Sequence, residues 1–381
     1  MKRPLTIFLL LLLVSSGITL TAQQVGTYLT RQGVRFEAIT YAPSGFYYSL
    51  DYWTGNVYKI GPGDSVRTIV TGMSGPVGGA MDADGNFYYS ELNTGKVFKV
   101  RPDDSYNEFA SGFFGPTGMV LNPTQDTLYV NNYNNNTVKK LALADSSVHN
   151  FSGGNGIAGP DGIVLAPNGD LIVANFDDNR VHRINSSGIV SLFATLNGSP
   201  NSGYLVRLGQ HYYITGFNGN RVYKIDSVGN VSVLAGTGMP GTLNGPASQA
   251  EFVRPNGICL NATQDTLLVT QGNVSGHLRY IVDFDLPTSV ETPSDDGLGL
   301  ECIPNPASDQ SVIRVTLETP GAVRLDLYDV EGRLLRVLLE DELAAGVLEM
   351  PLEREGLAPG VYFCRLSAQG KVASEKFVVM E

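Results

Sequence analysis

Apolar residues in this chain come in short alternating runs, not in the i, i+3, i+4 rhythm of an amphipathic helix, and one run returns six times. It reads GNVYKI from Gly55, GKVFKV from Gly95, NTVKKL from Asn136, NRVHRI from Asn179, NRVYKI from Asn220 and GHLRYI from Gly276. Its anchors Val57, Val97, Val138, Val181, Val222 and Leu278 lie 40, 41, 43, 41 and 56 residues apart. Around each anchor the pattern predicts four strands. An opening strand follows Pro-x-Gly, as in PDGIVL from Pro160, and a second follows, as in DLIVAN from Asp170. The repeated phrase is the third, and a more polar fourth closes the unit, as in SVRTIVTG from Ser65. A period just above forty built only of strands is the pattern of propeller blades, so six are predicted.

The wide last interval holds one insertion, GMPGTLNGPASQAEF at 238–252. The sixth copy lacks a fourth strand before Pro287, while VGTYLTRQ at 25–32 precedes the first blade as a fourth strand would. The N-terminal segment is therefore expected to be the outermost strand of the last blade, closing the ring and removing an exposed edge.

Both ends of the chain break this pattern. Lys2 and Arg3 precede an apolar run from Ile7 to Val14 and then small residues up to Thr21-Ala22, the layout of a secretory signal at 1–22. The propeller is read at 23–287 and an acidic, Gly/Pro-punctuated linker at 288–301. At 302–381 six or seven alternating strands, among them SVIRVTLE from Ser311 and GVYFCRLS from Gly360, suit a small β-sandwich. The expected fold is all-β: a six-bladed β-propeller with a C-terminal Ig-like β-sandwich.

Composition narrows the function. Thirty-seven acidic against 26 basic residues give a net charge of −11, which repels phosphate backbones and argues against nucleic-acid binding. Most of the excess lies in the tail, with seventeen acidic against eight basic residues from 291 to 381, so it says little about a propeller ligand. Beyond the signal, no stretch is apolar enough to span a bilayer. Three cysteines are too few for a disulfide scaffold; Cys259 suits an apolar filler, and Cys302 and Cys364 could pair only if the tail brings them together.

The phrase VLAGTGMPGTLNGPASQAEFVRPNGICL at 233–260 resembles the NHL-repeat six-bladed propellers and the wider group of gluconolactonase-like and paraoxonase-like enzymes. The tail resembles the C-terminal sorting domain of the type IX secretion system of Bacteroidota. The matching pieces are Pro304-Asn305-Pro306, Leu327-Tyr328-Asp329 with Gly332-Arg333, Leu357-Ala358-Pro359-Gly360-Val361-Tyr362 and Lys376-Phe377-Val378-Val379. That resemblance implies handling of 302–381 by the type IX machinery, transfer across the outer membrane, tail removal, and a secreted or cell-surface protein.

Propeller ligands sit at the axis. Aligned on their glycines, the opening strands place Phe36, Val77, Thr117, Asp161, Ser202 and Asn256 at the middle of Pro-x-Gly. Thr117, Asp161, Ser202 and Asn256 are thus the axial pocket candidates. By resemblance to the gluconolactonase-like enzymes, Asp161 in PDG and Asn256 in PNG are candidate metal ligands, with calcium as the ion oxygen donors suit. Their order in the chain is reversed relative to that group, and Glu37 falls in the glycine register, so the full triad does not transfer. A second ring, Asp51, Glu91, Asn132, Asn175, Gly216 and Gln271, ends the second strands, where Asx residues commonly bond turn backbone. His149, His182, His211 and His277 fall outside the opening strands and share no register, which disfavours axial histidine chemistry. Trp53, with Tyr52 and Tyr41, offers a stacking platform. The expected function is an exported binding or interaction scaffold taking a small-molecule, glycan or protein ligand at the axis. The alternative is a calcium-dependent lactonase or esterase.

Overall fold

The computed structural model describes residues 23–381 apart from 62–64, 199–200, 273–275, 283, 285–297, 304–306, 308–310, 330–333, 353, 355, 358–359, 369–370 and 380–381. The signal read at 1–22 lies outside the described residues, as do residues 288–297 of the linker read at 288–301. The chain separates into two units, with the boundary after Phe284.

The first unit is a propeller of six antiparallel sheets. Its inner strands are Ile39–Tyr41, Pro76–Met81, Pro116–Leu121, Pro160–Leu165, Ser202–Leu208 and Pro255–Leu260. Each packs beside the next, and the sixth packs on the first. The second strands, such as Tyr47–Asp51, Phe87–Glu91 and Leu171–Asn175, are buried at every residue. They carry apolar side chains on both faces because each face meets a neighbouring blade. Tyr48 and Leu50 of the first blade, for example, share one cluster with Phe87 and Tyr89 of the second.

The third strands explain the cation in the repeated phrase. Lys59 lies over Phe46 and Tyr48, Lys99 over Tyr88 and Phe109, Lys140 over Tyr129 and Phe151, Arg183 over Phe193, and Lys224 over Tyr213. At 4.3 to 5.9 Å from the ring centres, each charge caps the aromatic flank of its blade while its stem covers apolar surface.

The ring closes through Gln24–Thr30, which pairs antiparallel with His277–Val282. The expected position of this strand needs one correction. It is not outermost, because the insertion supplies Gly245–Pro246, which pairs with Gln24 and Val25 and makes the last blade five-stranded. The cause is Arg279, whose side chain is fully buried. Its guanidinium donates to the carbonyls of Gly26, Glu251 and Leu243 and to Asn244 Oδ1, at 3.1, 2.8, 3.0 and 2.8 Å. One cation thus ties the closing strand to the insertion.

The second unit has two antiparallel sheets. One orders Leu298–Ile303, Val312–Leu317 and Gly346–Pro351; the other orders Leu334–Leu343, Gly321–Asp329, Gly360–Ala368 and Lys371–Val379. Leu300, Ile313 and Val315 of the first share a core with Leu325, Leu327 and Leu366 of the second. Because Leu298–Ile303 is a strand, the linker ends before residue 298. Cys302 and Cys364 are buried free thiols in that core. Of the sorting pieces, 304–306, 332–333 and 358–359 lie outside the described residues, while Leu327 and Tyr328 sit in a strand.

Candidate functional site at the propeller axis

Backbone pairing defines the axial register. Pro76 stands opposite Glu91, Pro116 opposite Asn132, Pro160 opposite Asn175 and Pro255 opposite Gln271, each followed by an irregularity that spans the x-Gly pair. Ser202 stands opposite Gly216 in the same way. Ser202 therefore occupies the proline register, and Gly203 the middle position expected for it. In the first blade Ile39 faces Ser49 as Gly79 faces Tyr89, so the middle residue is Glu37 rather than Phe36.

Side chains confirm this independently. A buried group on one blade donates to the middle carbonyl of the next: Ser90 Oγ to Thr117 at 2.8 Å, Asn131 Nδ2 to Asp161 at 2.9 Å and Thr215 Oγ1 to Asn256 at 2.6 Å. Thr270 Oγ1 donates to the Glu37 carbonyl in the same fashion. The ring facing the axis is thus Glu37, Val77, Thr117, Asp161, Gly203 and Asn256. The glycine alignment slipped because Ala38 and Tyr204 hold the glycine register in two blades. That register is tight elsewhere: a Cβ on Gly118 or Gly257 would collide with the Asp161 or Glu37 carbonyl of the next blade.

Three of these residues and Tyr204 form a polar cup. Asn256 Nδ2 donates to Glu37 Oε2 at 2.8 Å, and the Trp53 side chain lies near that carboxylate. Burial pushes the Glu37 carboxyl above its ordinary range; the Asn256 bond opposes this, the Asp51 charge adds to it, and the nearby Trp53 indole opposes it. The Asp161 carboxyl meets the Tyr204 hydroxyl and is pushed up to about 7, by burial first, against the pull of that hydroxyl and with the Glu37 charge adding to the rise. Tyr204 Oη donates to the Val77 carbonyl at 2.9 Å. Tyr204 belongs to the fifth blade and Val77 to the second, opposite it, so the ring of Tyr204 spans the axis and floors the cup.

The other candidates are placed as follows. Thr117 Oγ1 donates to the Pro160 carbonyl at 2.7 Å, a contact between blades. Ser202 is fully buried and its hydroxyl has no partner. Asn256 Oδ1 is buried and likewise unpartnered, on the amide whose nitrogen holds Glu37. Glu37, Asp161 and Asn256 are therefore an oxygen donor set of the kind a calcium ion takes. Among the described residues no three His, Cys, Asp or Glu side chains form a metal cluster, so the set depends on the amide.

The second ring bonds turns. Asp51 accepts from the amides of Trp53 and Thr54, and Glu91, Asn132 and Gln271 accept from the amides of Ser74, Phe114 and Val253, each two residues before an inner-strand proline. Tyr52 meets Trp53 edge to face at 5.1 Å, but Tyr41 packs on Tyr47 at the far end of the inner strand and is no part of that platform. At that far end the six inner strands enclose a channel of about 450 Å³ whose walls include Ile39, Met81, Met119, Ile163, Leu205 and Ile258. His211 opens a second strand, His182 and His277 lie on third strands, and His149 lies on a fourth.

Residues 79–195 match the SMP-30/gluconolactonase/LRE-like region, and residues 301–380 match a secretion system C-terminal sorting domain. No curated protein matches the sequence. Solved structures share the propeller fold. A catalytically inactive virginiamycin B lyase from Staphylococcus aureus, solved with quinupristin, is 16% identical over 66% of this chain and 82% of its own, with a TM-score of 0.52. An auxiliary nutrient binding protein from Bacteroides ovatus is 13% identical over 68% and 76%, with a TM-score of 0.59. A gluconolactonase from Xanthomonas campestris is 13% identical over 68% and 89%, with a TM-score of 0.53. At these identities the likeness is one of fold. The sorting domain marks an exported protein, at the cell surface or in the medium, handled by type IX machinery. No helix among the described residues is long and apolar enough to cross a membrane.

Proposed function

From the premise of an exported propeller with an SMP-30/gluconolactonase-like region, we propose that the chain is a binding protein whose ligand sits in the axial cup. The observation that carries this reading is the wiring of the cup's acids. Asn256 holds Glu37, and Asp161 lies beside the Tyr204 hydroxyl, so both carboxyls stand as hydrogen-bonding groups over the floor that Tyr204 makes. The fold shared with a nutrient binding protein supports it. Calorimetry of the full chain with sugar, amino-acid and lactone panels, with and without calcium, tests it. Saturable binding that is lost in E37A and accompanied by no turnover is the expected result.

The unpartnered Asn256 Oδ1 favours a second reading, a calcium-dependent hydrolase of lactones or esters. Glu37, Asp161 and Asn256 would hold the ion, which when bound would polarise a substrate carbonyl. Around it, this chain's own Trp53 and Tyr204 would orient the substrate and keep water from the channel. Calcium heat that disappears in D161A and N256A, together with lactone turnover, would replace the first reading by this one.

The export route is part of the proposal: a signal at 1–22 removed after Ala22, and a tail from about 302 removed after transfer. Residues 288–381 behind a signal and a neutral reporter, in a host with type IX machinery, should bring the reporter outside the cell without its tail. A reporter retained in the periplasm would return this unit to the status of an accessory module.

A further inference from the structure

We propose that the mouth of the cup is a stacking surface for a neutral pyranose saccharide. This rests on the binding reading above and names its ligand class. The turn after each second strand places Tyr52, Leu92, Tyr133, Phe176, Phe217 and Gly272 at one register. The amides of Leu92, Tyr133, Phe176 and Phe217 donate at 2.9, 2.7, 2.7 and 2.9 Å to the carbonyls of Gly75, Gly115, Gly159 and Asn201, each immediately before an inner strand. These side chains are therefore anchored where the inner strands begin, at the level of Glu37, Asp161 and Asn256.

The rings are continuous. Tyr133 and Phe176 have centroids 6.4 Å apart, Phe176 and Phe217 5.5 Å, and the Arg254 guanidinium lies 5.6 Å from Phe217. Across the mouth, Trp53 packs on Tyr52, lies near Glu37 and has 61% of its surface exposed. Phe114, 59% exposed, is held beside Asn134, whose amide donates to its carbonyl. Among the described propeller residues the exposed aromatics are Trp53, Phe114 and, at 44%, Tyr106, and the two most exposed stand at this mouth. Aromatics on the blade flanks are capped by lysines or Arg183; Phe114 faces solvent, and Trp53 does so with the Arg35 guanidinium 5.9 Å from its ring centre.

The polar complement decides the ligand class. Exposed Asn134, Asp177 and Asn218 follow directly after the three rings of the arc, and the floor offers two carboxyls, an amide and Tyr204. Apolar faces alternating with amide and carboxyl acceptors match a sugar ring, whose C–H face stacks while its hydroxyls donate in pairs. The floor pairs no anion, since its side chains are two carboxyls, an amide and a phenol.

The test is calorimetry of the full chain with maltotriose, cellotriose and chitotriose, and with a tripeptide set for comparison. One saccharide should bind, W53A and F114A should each weaken it about tenfold, the loss of one stacked ring (~1.4 kcal/mol), and Y106A should bind like the wild type. Saccharide binding untouched by W53A and F114A overturns the stacking surface. Peptide binding alone overturns the saccharide class and leaves the binding reading intact. Lactone turnover with calcium and no saccharide binding removes both.

Discussion

The same six inner strands build two opposite chemistries. At their starts lie Glu37, Asp161 and Asn256, with Asn256 bonded to Glu37 and Asp161 beside the Tyr204 hydroxyl. At their ends lies a channel walled by Ile39, Met81, Met119, Ile163, Leu205 and Ile258. Between them stands one side chain, Tyr204, in a register where four other blades have glycine. A ring of repeats is nearly symmetric, so its function lives where one blade departs from the pattern. The fifth blade departs by a residue large enough to cross the axis.

The comparison can be broken most thoroughly at the ring closure. Deleting 23–30 removes buried Val25 and Leu29 and a full strand ladder, and strips Arg279 of the Gly26 carbonyl. Cup and channel should be lost together, with a thermal midpoint lower by about 10 °C or more; an unchanged melt in circular dichroism would mean that this strand does not close the ring. Arg279→Ala is a milder cut at the same joint. It removes four hydrogen bonds of a buried guanidinium, although the Leu243 carbonyl keeps the Glu251 amide and Asn244 Oδ1 keeps the Thr27 hydroxyl, and should cost roughly 2–4 kcal/mol in urea unfolding.

Tyr204 tests the division itself. Tyr204→Gly restores the residue of the other blades and should cost about 2–4 kcal/mol by opening a cavity across the axis, while Tyr204→Phe should cost only about 1 kcal/mol, for the bond to Val77. Equal losses in the two variants would show that the ring does not separate the two ends. The smallest effect is a pH dependence. Asp161 sits at about 7 in the fold, above its ordinary 3.8, so the folded state holds the proton more tightly than the unfolded chain. Its contribution is fully present below pH 4 and is lost as pH rises through 7. Asp161→Asn should therefore match the wild type near pH 4 and exceed it by about 1–2 kcal/mol at pH 8. Parallel stability curves from pH 4 to 8 would count against a buried, proton-holding Asp161.

Much of this was legible along the chain. The forty-residue rhythm, the strand order within each repeat, the closing role of the N-terminal segment and the texture of the tail all follow from side-chain alternation and turn residues, which are local signals. The turn role of Asp51, Glu91 and Asn132 was legible for the same reason, since Asx and Glu acceptors act on backbone a few residues away or at a repeated offset. Glu37 and Gly203 were misplaced because glycine was used as the ruler. Counting back from the end of each second strand, the residue that ladder pairing sets opposite the proline register, would have placed both.

The sequence by itself determined that the chain is a ring of strand repeats followed by a second β unit, because hydrophobic alternation and repeat period are properties of neighbouring residues; the sorting role of that unit rested on resemblance. Which side chains meet at the axis was decided only in three dimensions. Asn256 reaches Glu37 across 219 positions, Tyr204 reaches Val77 across 127, and Arg279 reaches Gly26 across 253. No local pattern encodes such contacts. They exist because a ring brings its ends together, and because one bulky residue in a glycine register has nowhere to go but across the centre.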